Sequence, residues 1–153
     1  MRLQLAVNGR PVEREIAPQT LLLDFVRDEL GLTGAKRSCE VQVCGTCTVL
    51  VDGQPVSSCC YLAADAEGRE VLTIEGLAER PEFERLERAF LEHAALQCGF
   101  CTPAMLLTVS VLLTEGELAG EEAIKRNLAG NLCRCTGYRG IVEAVSELAG
   151  AAS

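Results

Sequence analysis

The amino-acid sequence predicts an α+β protein in which a small sheet packs on one helix and an all-helical half follows. Two observations predict this class. In the first 76 residues, two turn dipeptides each separate a pair of short strand-like runs. Beyond residue 76, apolar residues recur with helical spacing and no strand-like alternation is seen. We therefore predict a first domain at residues 1–76 and a second at residues 77–153.

The first half contains two predicted hairpins. Asn8-Gly9 and Asp52-Gly53 are the dipeptides most typical of two-residue hairpin turns, because both turn residues need a positive φ. The strands that flank them are predicted at 2–7 and 12–16, and at 47–51 and 54–58.

One helix is predicted between the hairpins. It covers residues 21–30, with Thr20 as its cap and Gly31 as its left-handed end. A further short strand is predicted at 71–74, and residues 32–46 form a long loop between helix and strand.

The second half is predicted to contain four helices. Thr102-Pro103 is a capping residue followed by proline at the first helical position. The apolar stripe that follows is typical of a core face, the favoured interpretation, or of a subunit contact: Leu106, Leu107, Val109, Val111 and Leu113. The helices are expected over 83–94, 103–114, 121–128 and 141–148.

Charge and hydropathy exclude several classes of function. A net charge of −8 repels both a nucleic-acid backbone and an anionic lipid surface, and no basic block offsets it. No apolar stretch approaches the roughly 20 residues that a spanning helix needs. Residues 1–7 alternate as a strand does, unlike a signal peptide, so a cytoplasmic location without membrane insertion is expected.

The cysteine content indicates metal binding. Nine cysteines are an odd number, and in a reducing compartment they do not form a disulfide framework. The one histidine, His93, shows no partner pattern and is interpreted as solvated or locally hydrogen-bonded. Sulfur is therefore the expected ligand.

Four cysteines in the first half have the spacing of a plant-type ferredoxin. Cys39-x4-Cys44-x2-Cys47 is followed by Cys59, closer than usual, and this pattern predicts a [2Fe–2S] cluster. Gly45 and Thr46 keep the loop small enough for backbone N–H groups to approach the sulfides.

Four more cysteines lie in two helix-entry loops of the second half. Cys98-x2-Cys101 precedes one helix and Cys133-x-Cys135 precedes another, so four thiolates can converge near positive helix termini. Arg134 and Arg139 are expected to favour the reduced, more anionic form of a cluster there.

Other interpretations accompany these sites. The eight cysteines could form two structural zinc sites, but zinc ribbons favour two Cys-x2-Cys knuckles and neither half has both. The ninth, Cys60, is predicted to point away from Cys59 across a strand and to act as a small hydrophobe. Lys36-Arg37 suits either a solvated loop or a role in docking or potential tuning.

Motifs along nearly the whole chain resemble a known family. They are Cys39-Glu-Val-Gln-Val-Cys44-Gly-Thr-Cys47, Ser58-Cys59, Gln97-Cys98-Gly-Phe-Cys101-Thr-Pro and Asn131-Leu-Cys133-Arg-Cys135-Thr-Gly-Tyr138. Together they resemble the small iron–sulfur subunit of the molybdenum hydroxylase, or xanthine oxidase, family. The resemblance implies a β-grasp ferredoxin domain and a four-helix domain, each holding one [2Fe–2S] cluster. Ser38, Glu40, Gln42 and Ala104 stand where the family commonly has glycine.

The resemblance also implies a function and partners. The chain would perform no bond chemistry of its own and would relay electrons from a large molybdopterin-binding subunit toward FAD, usually on a medium subunit. Gln97 would lie near the molybdopterin. The alternative function is a stand-alone two-cluster electron carrier or redox sensor.

Overall fold

The computed structural model describes residues 1–150 and combines a five-stranded sheet with a helical half. The strands run in the spatial order β2-β1-β5-β3-β4, with β1 and β5 parallel and the other neighbours antiparallel. This is the sheet expected of a β-grasp domain. The strands are β1 (Arg2–Val7), β2 (Arg10–Glu15), β3 (Thr48–Val51), β4 (Gln54–Ser57) and β5 (Glu70–Leu72).

Both predicted hairpins are confirmed. Asn8 and Gly9 have φ values of 53° and 73°, and Asp52 and Gly53 have values of 49° and 81°, as a two-residue turn of this kind requires. Strand β2 begins two residues before the predicted position, because the tight turn already pairs Val7 with Arg10.

The helix between the hairpins differs from the prediction. A single α-helical turn, α1 (Leu22–Asp24), continues as a π-helix over Phe25–Glu29, in which the Leu30 N–H donates to the Phe25 carbonyl at 3.2 Å. Thr20 does not cap it: the Thr20 carbonyl accepts the Ala63 N–H instead. Gly31 does end the helical segment, with φ of 71°.

Up to residue 150, the helical half contains the four predicted helices and one more. They are α2 (Ile74–Ala78), α3 (Phe83–Glu92), α4 (Thr102–Glu115), α5 (Glu121–Asn127) and α6 (Arg139–Gly150). Helix α2 takes up Ile74, which the sequence had suggested as a strand residue. Helix α4 begins at Thr102 itself, so this residue is not the cap. Within residues 1–150, no helix combines the length and apolarity needed to cross a bilayer.

Two hydrophobic cores meet at the sheet. Val49 and Val51 of β3 belong to the core between sheet and π-helix, whereas Leu50 and Leu72 join the core of the helical half. The predicted α4 stripe is confirmed as core, with Leu106, Leu107 and Val109 buried and Val111 and Leu113 packed against them. The predicted division after residue 76 falls within α2 and stays a prediction.

The turn residue Asn8 ties the first hairpin to the start of α2, which yields a testable prediction. Its amide accepts the N–H of fully buried Thr73 at 2.9 Å and donates to the Thr73 hydroxyl at 3.0 Å. Asn8→Gly keeps the positive φ but leaves a buried N–H without a partner, so the free energy of unfolding should fall by about 1–3 kcal/mol. Circular dichroism during thermal unfolding measures the change.

Asp52→Gly is the matched control, because Asp52 holds the same turn position but accepts exposed donors from Glu70 and Arg69. It should cost less stability than Asn8→Gly. Equal losses from the two variants would contradict this account.

Candidate metal centres

Hairpin pairing brings together two of the four cysteines in the first half. Cys47 directly precedes β3, and Cys59 lies in a 3₁₀ turn, Ser58–Cys60, that directly follows β4. Thr48 pairs with Ser57 across the hairpin, and the Ser58 hydroxyl donates to the Cys47 carbonyl at 2.6 Å. The Cys47 and Cys59 thiols are both buried and contact each other.

The other two cysteines of the first half share the preceding loop. The N–H groups of Val43 and Cys44 each approach the Cys39 Sγ at 3.4 Å. Glu40 and Gln42 have φ values of 55° and 59°, a conformation that favours glycine and turns successive N–H groups toward one point. The loop therefore forms an anion-binding concavity around the Cys39 sulfur.

Backbone donors and burial act in opposite directions on two of these thiols. Backbone N–H groups of Val41, Cys44 and Val43 lower the pKa of Cys39 to about 6. Burial raises the pKa of Cys47 to about 11. Cys39 is thus prepared as a thiolate near the surface, whereas Cys47 is enclosed and needs a cationic partner to ionise.

The four cysteines of the second half converge at the entry of two helices. Cys101 immediately precedes α4, and Cys133 and Cys135 lie in the loop that leads to α6. Cys135 and Cys98 have their sulfurs 3.5 Å apart, and the Cys101 thiol contacts the Cys133 thiol. A cavity of about 470 Å³ is lined by all four side chains.

The environments of these four thiols also differ. Burial raises the pKa of Cys101 to about 12. Burial of Cys133 opposes ionisation too, but hydrogen bonds from the Thr136 hydroxyl, at 3.1 Å, and from the Thr136 and Cys135 backbone outweigh it and lower the pKa of Cys133. Cys98 and Cys135 are exposed, so this group reaches the protein surface.

The cysteines come in pairs, and this arrangement discriminates between metals. Within the described part of the chain, no three or more histidine, cysteine, aspartate or glutamate side chains gather as ligands of a single ion. A structural zinc site needs four ligands around one ion. Two irons bridged by sulfide need two thiolates each. The pairs Cys39/Cys44, Cys47/Cys59, Cys98/Cys135 and Cys101/Cys133 therefore fit two [2Fe–2S] clusters better than two zinc ions.

An unpartnered hydroxyl supports the same fit. Among residues 1–150, the Thr102 Oγ1 is the one buried side-chain oxygen or nitrogen without a hydrogen-bond partner in the protein. Thr102 directly follows Cys101. Cluster sulfur accepts hydrogen bonds. A cluster held by Cys101 would therefore bring an acceptor close to the unpartnered Thr102 hydroxyl.

The two groups of cysteines are joined through their loops. The Leu132 N–H donates to the Cys44 carbonyl at 2.8 Å, and the buried Asn131 side-chain amide donates to the Gly45 carbonyl at 3.3 Å. Gly45 is required here: a Cβ at this position would lie 2.2 Å from the Gly130 carbonyl oxygen. A single hydrogen bond thus separates the residue next to Cys133 from Cys44.

The prediction for Cys60 is wrong. Because Ser58–Cys60 is a 3₁₀ turn and not a strand, Cys59 and Cys60 do not point to opposite faces. Their sulfurs are 3.7 Å apart, and the Cys60 thiol is exposed and approaches the Glu40 carbonyl at 3.8 Å. Cys60 is therefore a neighbour of the first group and not a buried hydrophobe.

Charged and polar residues near the loops have defined partners. Arg37 pairs with Asp24, Asp28 and Glu40, which ties the Cys39 loop to the helical segment and leaves little charge for docking. His93 is locally hydrogen-bonded, at 2.7 Å from Glu147 on α6.

The remaining candidates lie at the surface of the second group. Arg139 donates to Glu143 at 2.9 Å, so its charge is already compensated. Arg134 lines the cavity beside Cys133 and Cys135, and its predicted effect on potential stays a prediction. Gln97 is exposed next to exposed Cys98, and its contact with molybdopterin also stays a prediction.

Sequence reasoning missed two residues that shape the second group. Tyr138 and Asn131 belong to the quoted motif, but no role followed from their spacing. The Tyr138 hydroxyl lies within hydrogen-bond distance of the Cys133 N–H, and Asn131 reaches the first loop. The only signal in the sequence was their position on either side of Cys133 and Cys135.

Comparison with known proteins covers the same two groups. A family model described as "2Fe-2S iron-sulfur cluster binding domain" matches residues 5–75, and one described as "[2Fe-2S] binding domain" matches residues 73–146. Caffeine dehydrogenase subunit gamma of Pseudomonas sp. (strain CBB1) is 45% identical over 149 residues, which cover 95% of this chain and 89% of that one.

Two further similarities have comparable extent. The xanthine dehydrogenase iron-sulfur-binding subunit of Escherichia coli O157:H7 is 44% identical over 94% of this chain and 91% of its own. In the crystal structure of quinoline 2-oxidoreductase from Pseudomonas putida 86, one chain superimposes with a TM-score of 0.92 at 43% identity, covering 99% of this chain and 95% of that one.

The paired thiols predict the metal content. Fully loaded protein should contain about four iron and about four acid-labile sulfide per chain and, when reduced, give two distinguishable electron paramagnetic resonance signals. A red-brown visible spectrum separates iron–sulfide from colourless zinc–thiolate. Two irons per chain, or zinc in stoichiometric amount, would contradict the assignment.

The two adjacent cysteines should differ in their effect on iron content. Cys59 is buried and contacts Cys47, so Cys59→Ser should lose the first cluster and about half of the iron. Cys60→Ser is the matched control: its thiol lies outside this pair and both clusters should remain. Iron analysis of the two purified variants tests this, and the reverse pattern would make Cys60 the ligand.

Proposed function

Because this chain belongs to the family of small iron–sulfur subunits of molybdenum hydroxylases, we propose that it relays electrons within a larger oxidoreductase complex. Cys39, Cys44, Cys47 and Cys59 would hold one [2Fe–2S] cluster, and Cys98, Cys101, Cys133 and Cys135 the other. The observation that carries this proposal is the pairing of all eight thiols, two by two, in loops that contact each other.

The chain's own residues supply binding and position and no bond chemistry. When bound, a [2Fe–2S] cluster supplies one-electron transfer. The Cys39 loop offers N–H donors to sulfur, and Thr136 offers a hydroxyl to Cys133. These donors favour the anionic thiolates that iron requires.

The contact between the loops supports transfer within the chain. Electron tunnelling decays less steeply through covalent bonds and short hydrogen bonds than through empty space. The path from Cys133 through its neighbour Leu132 crosses one hydrogen bond of 2.8 Å to reach Cys44.

Exposed apolar side chains beside each group are suited to larger partner subunits. Val41 and Val43 are 65% and 59% exposed on the first loop, and Phe100 and Leu132 are 43% and 46% exposed beside the second. Patches of this kind at a redox centre favour protein contact. We propose that the second group faces the molybdopterin subunit, with Gln97 at that contact, and that the first group faces an FAD-binding subunit.

Substitutions in the assembled complex test the order of the relay. Cys135→Ser should leave molybdenum reducible by substrate but stop reduction of the flavin, because the second group would no longer hold the cluster that accepts electrons from molybdenum. Cys44→Ser should also leave the flavin oxidised, but only after the second group's signal has been reduced. Stopped-flow spectra with caffeine, xanthine or quinoline as trial substrates measure this, with Cys60→Ser as the control that keeps wild-type behaviour.

Two results would overturn the proposal. Rapid flavin reduction in the Cys135→Ser complex would contradict the series arrangement. If the chain purified at native expression level travels alone in gel filtration, without larger polypeptides that carry molybdenum and flavin, the subunit assignment fails and a free two-cluster carrier remains.

A further inference from the structure

The hydroxyl of Tyr138 hydrogen-bonds to the backbone of the loop that carries Cys133 and Cys135. It accepts the N–H of Cys133 at 2.8 Å and donates to the carbonyl of Asn131 at 3.2 Å. Both partners are backbone groups of one three-residue segment, Asn131–Cys133. The Tyr138 hydroxyl thus satisfies the Cys133 N–H at one end of this segment and the Asn131 carbonyl at the other.

The backbone of Tyr138 adopts an unfavourable conformation to reach this position. Its φ is 67°, in the left-handed region, which is uncommon for a bulky aromatic residue. The Tyr138 N–H donates to the Thr136 hydroxyl at 3.2 Å, and that hydroxyl in turn contacts the Cys133 Sγ at 3.1 Å. The contacts around Cys133 therefore hold Tyr138 at a positive φ, which the steric bulk of its side chain disfavours.

The segment that Tyr138 holds also contacts the other half of the protein. Asn131 is buried and donates through its side chain to the Gly45 carbonyl, and the Leu132 N–H donates to the Cys44 carbonyl. Asn131–Cys133 is thus a ligand-bearing segment on one side and the joint between the two cysteine groups on the other.

We propose that Tyr138 is a positioning residue that fixes the Asn131–Cys133 segment, and that it thereby sets the reduction potential of the second cluster. The inference rests on the proposed function, because it presumes a cluster in each half. While the Tyr138 hydroxyl accepts the Cys133 N–H, this N–H does not donate to cluster sulfur or to water. Removing the hydroxyl frees this donor, and a backbone donor to cluster sulfur favours the more anionic reduced cluster. The Asn131–Cys133 segment also loses the bonds that fix it, so the cluster should release iron faster.

The test is Tyr138→Phe in the full chain, compared with Tyr61→Phe. The chain has two tyrosines, and the Tyr61 hydroxyl donates to the Asp65 carbonyl, so the control removes the same hydroxyl from the other half of the protein. Redox titration followed by electron paramagnetic resonance gives both cluster potentials. Transfer of iron to a chelator, followed optically, gives the lability of each cluster.

The expected result is confined to one cluster. In Tyr138→Phe the potential of the second cluster should shift upward, and its iron should leave about tenfold faster, while the first cluster is unchanged. Selective loss of the second cluster's iron with the first cluster intact also supports the proposal. Tyr61→Phe should match the wild type in every readout.

Other outcomes separate this inference from the function on which it rests. Unchanged potentials and iron release in Tyr138→Phe would overturn the positioning role alone. Loss of both clusters together with the helical circular dichroism would also overturn it, since the hydroxyl would then serve the whole fold. Wild-type protein that holds fewer than two clusters would instead reject the proposed function.

Discussion

Strand β3 has no exposed face, and the relation between the two halves depends on this fact. All four of its residues are buried: Val49 and Val51 pack toward the π-helix, and Leu50 packs with Leu72 into the helical core. Cys47 directly precedes β3 and Cys101 directly precedes α4, the helix that packs on β3. Packing of these two elements therefore sets the cysteine loops relative to each other, and burial of apolar surface drives that packing.

The loop contact is the functional consequence of this arrangement. Gly45 has room for no side chain against the Gly130 carbonyl, so the backbones of the two loops approach as closely as their hydrogen bonds allow.

Local chemistry made much of the fold and site predictable. The hairpin turns at Asn8 and Asp52 need positive φ, and the dipeptides Asn-Gly and Asp-Gly indicate such turns directly. The spacing of the eight cysteines is typical of loops that wrap a [2Fe–2S] cluster, so the candidate sites are also readable along the chain. By contrast, the π-helix buries the adjacent side chains of Phe25 and Val26 in the core shared with the sheet, and the 3₁₀ turn at Cys59 lies where β4 ends. Neither constraint is local in sequence.

Side chains that act across the loops were the least predictable part of the site. Glu40 and Gln42 take a glycine-like conformation that no local residue preference indicates, and Arg37 stabilises it by pairing with Glu40 and with Asp24 on the helical segment. The hydrogen bonds of the Tyr138 hydroxyl to Cys133 and Asn131 were likewise not predictable from the sequence. These roles depend on distances between segments, which spacing alone does not give.

An acidic protein that holds anionic clusters faces an electrostatic conflict. The net charge is −8, Arg37 and Arg139 are already paired with carboxylates, and one-electron reduction adds further negative charge. Fixed dipoles offset this negative charge. Backbone N–H groups point at the Cys39 sulfur, and the Thr136 hydroxyl donates to the Cys133 sulfur. Dipoles in contact with sulfur act at short range, where mobile ions screen poorly, whereas surface arginines would be screened within a Debye length. The surface can therefore stay acidic while the loops remain suited to thiolates.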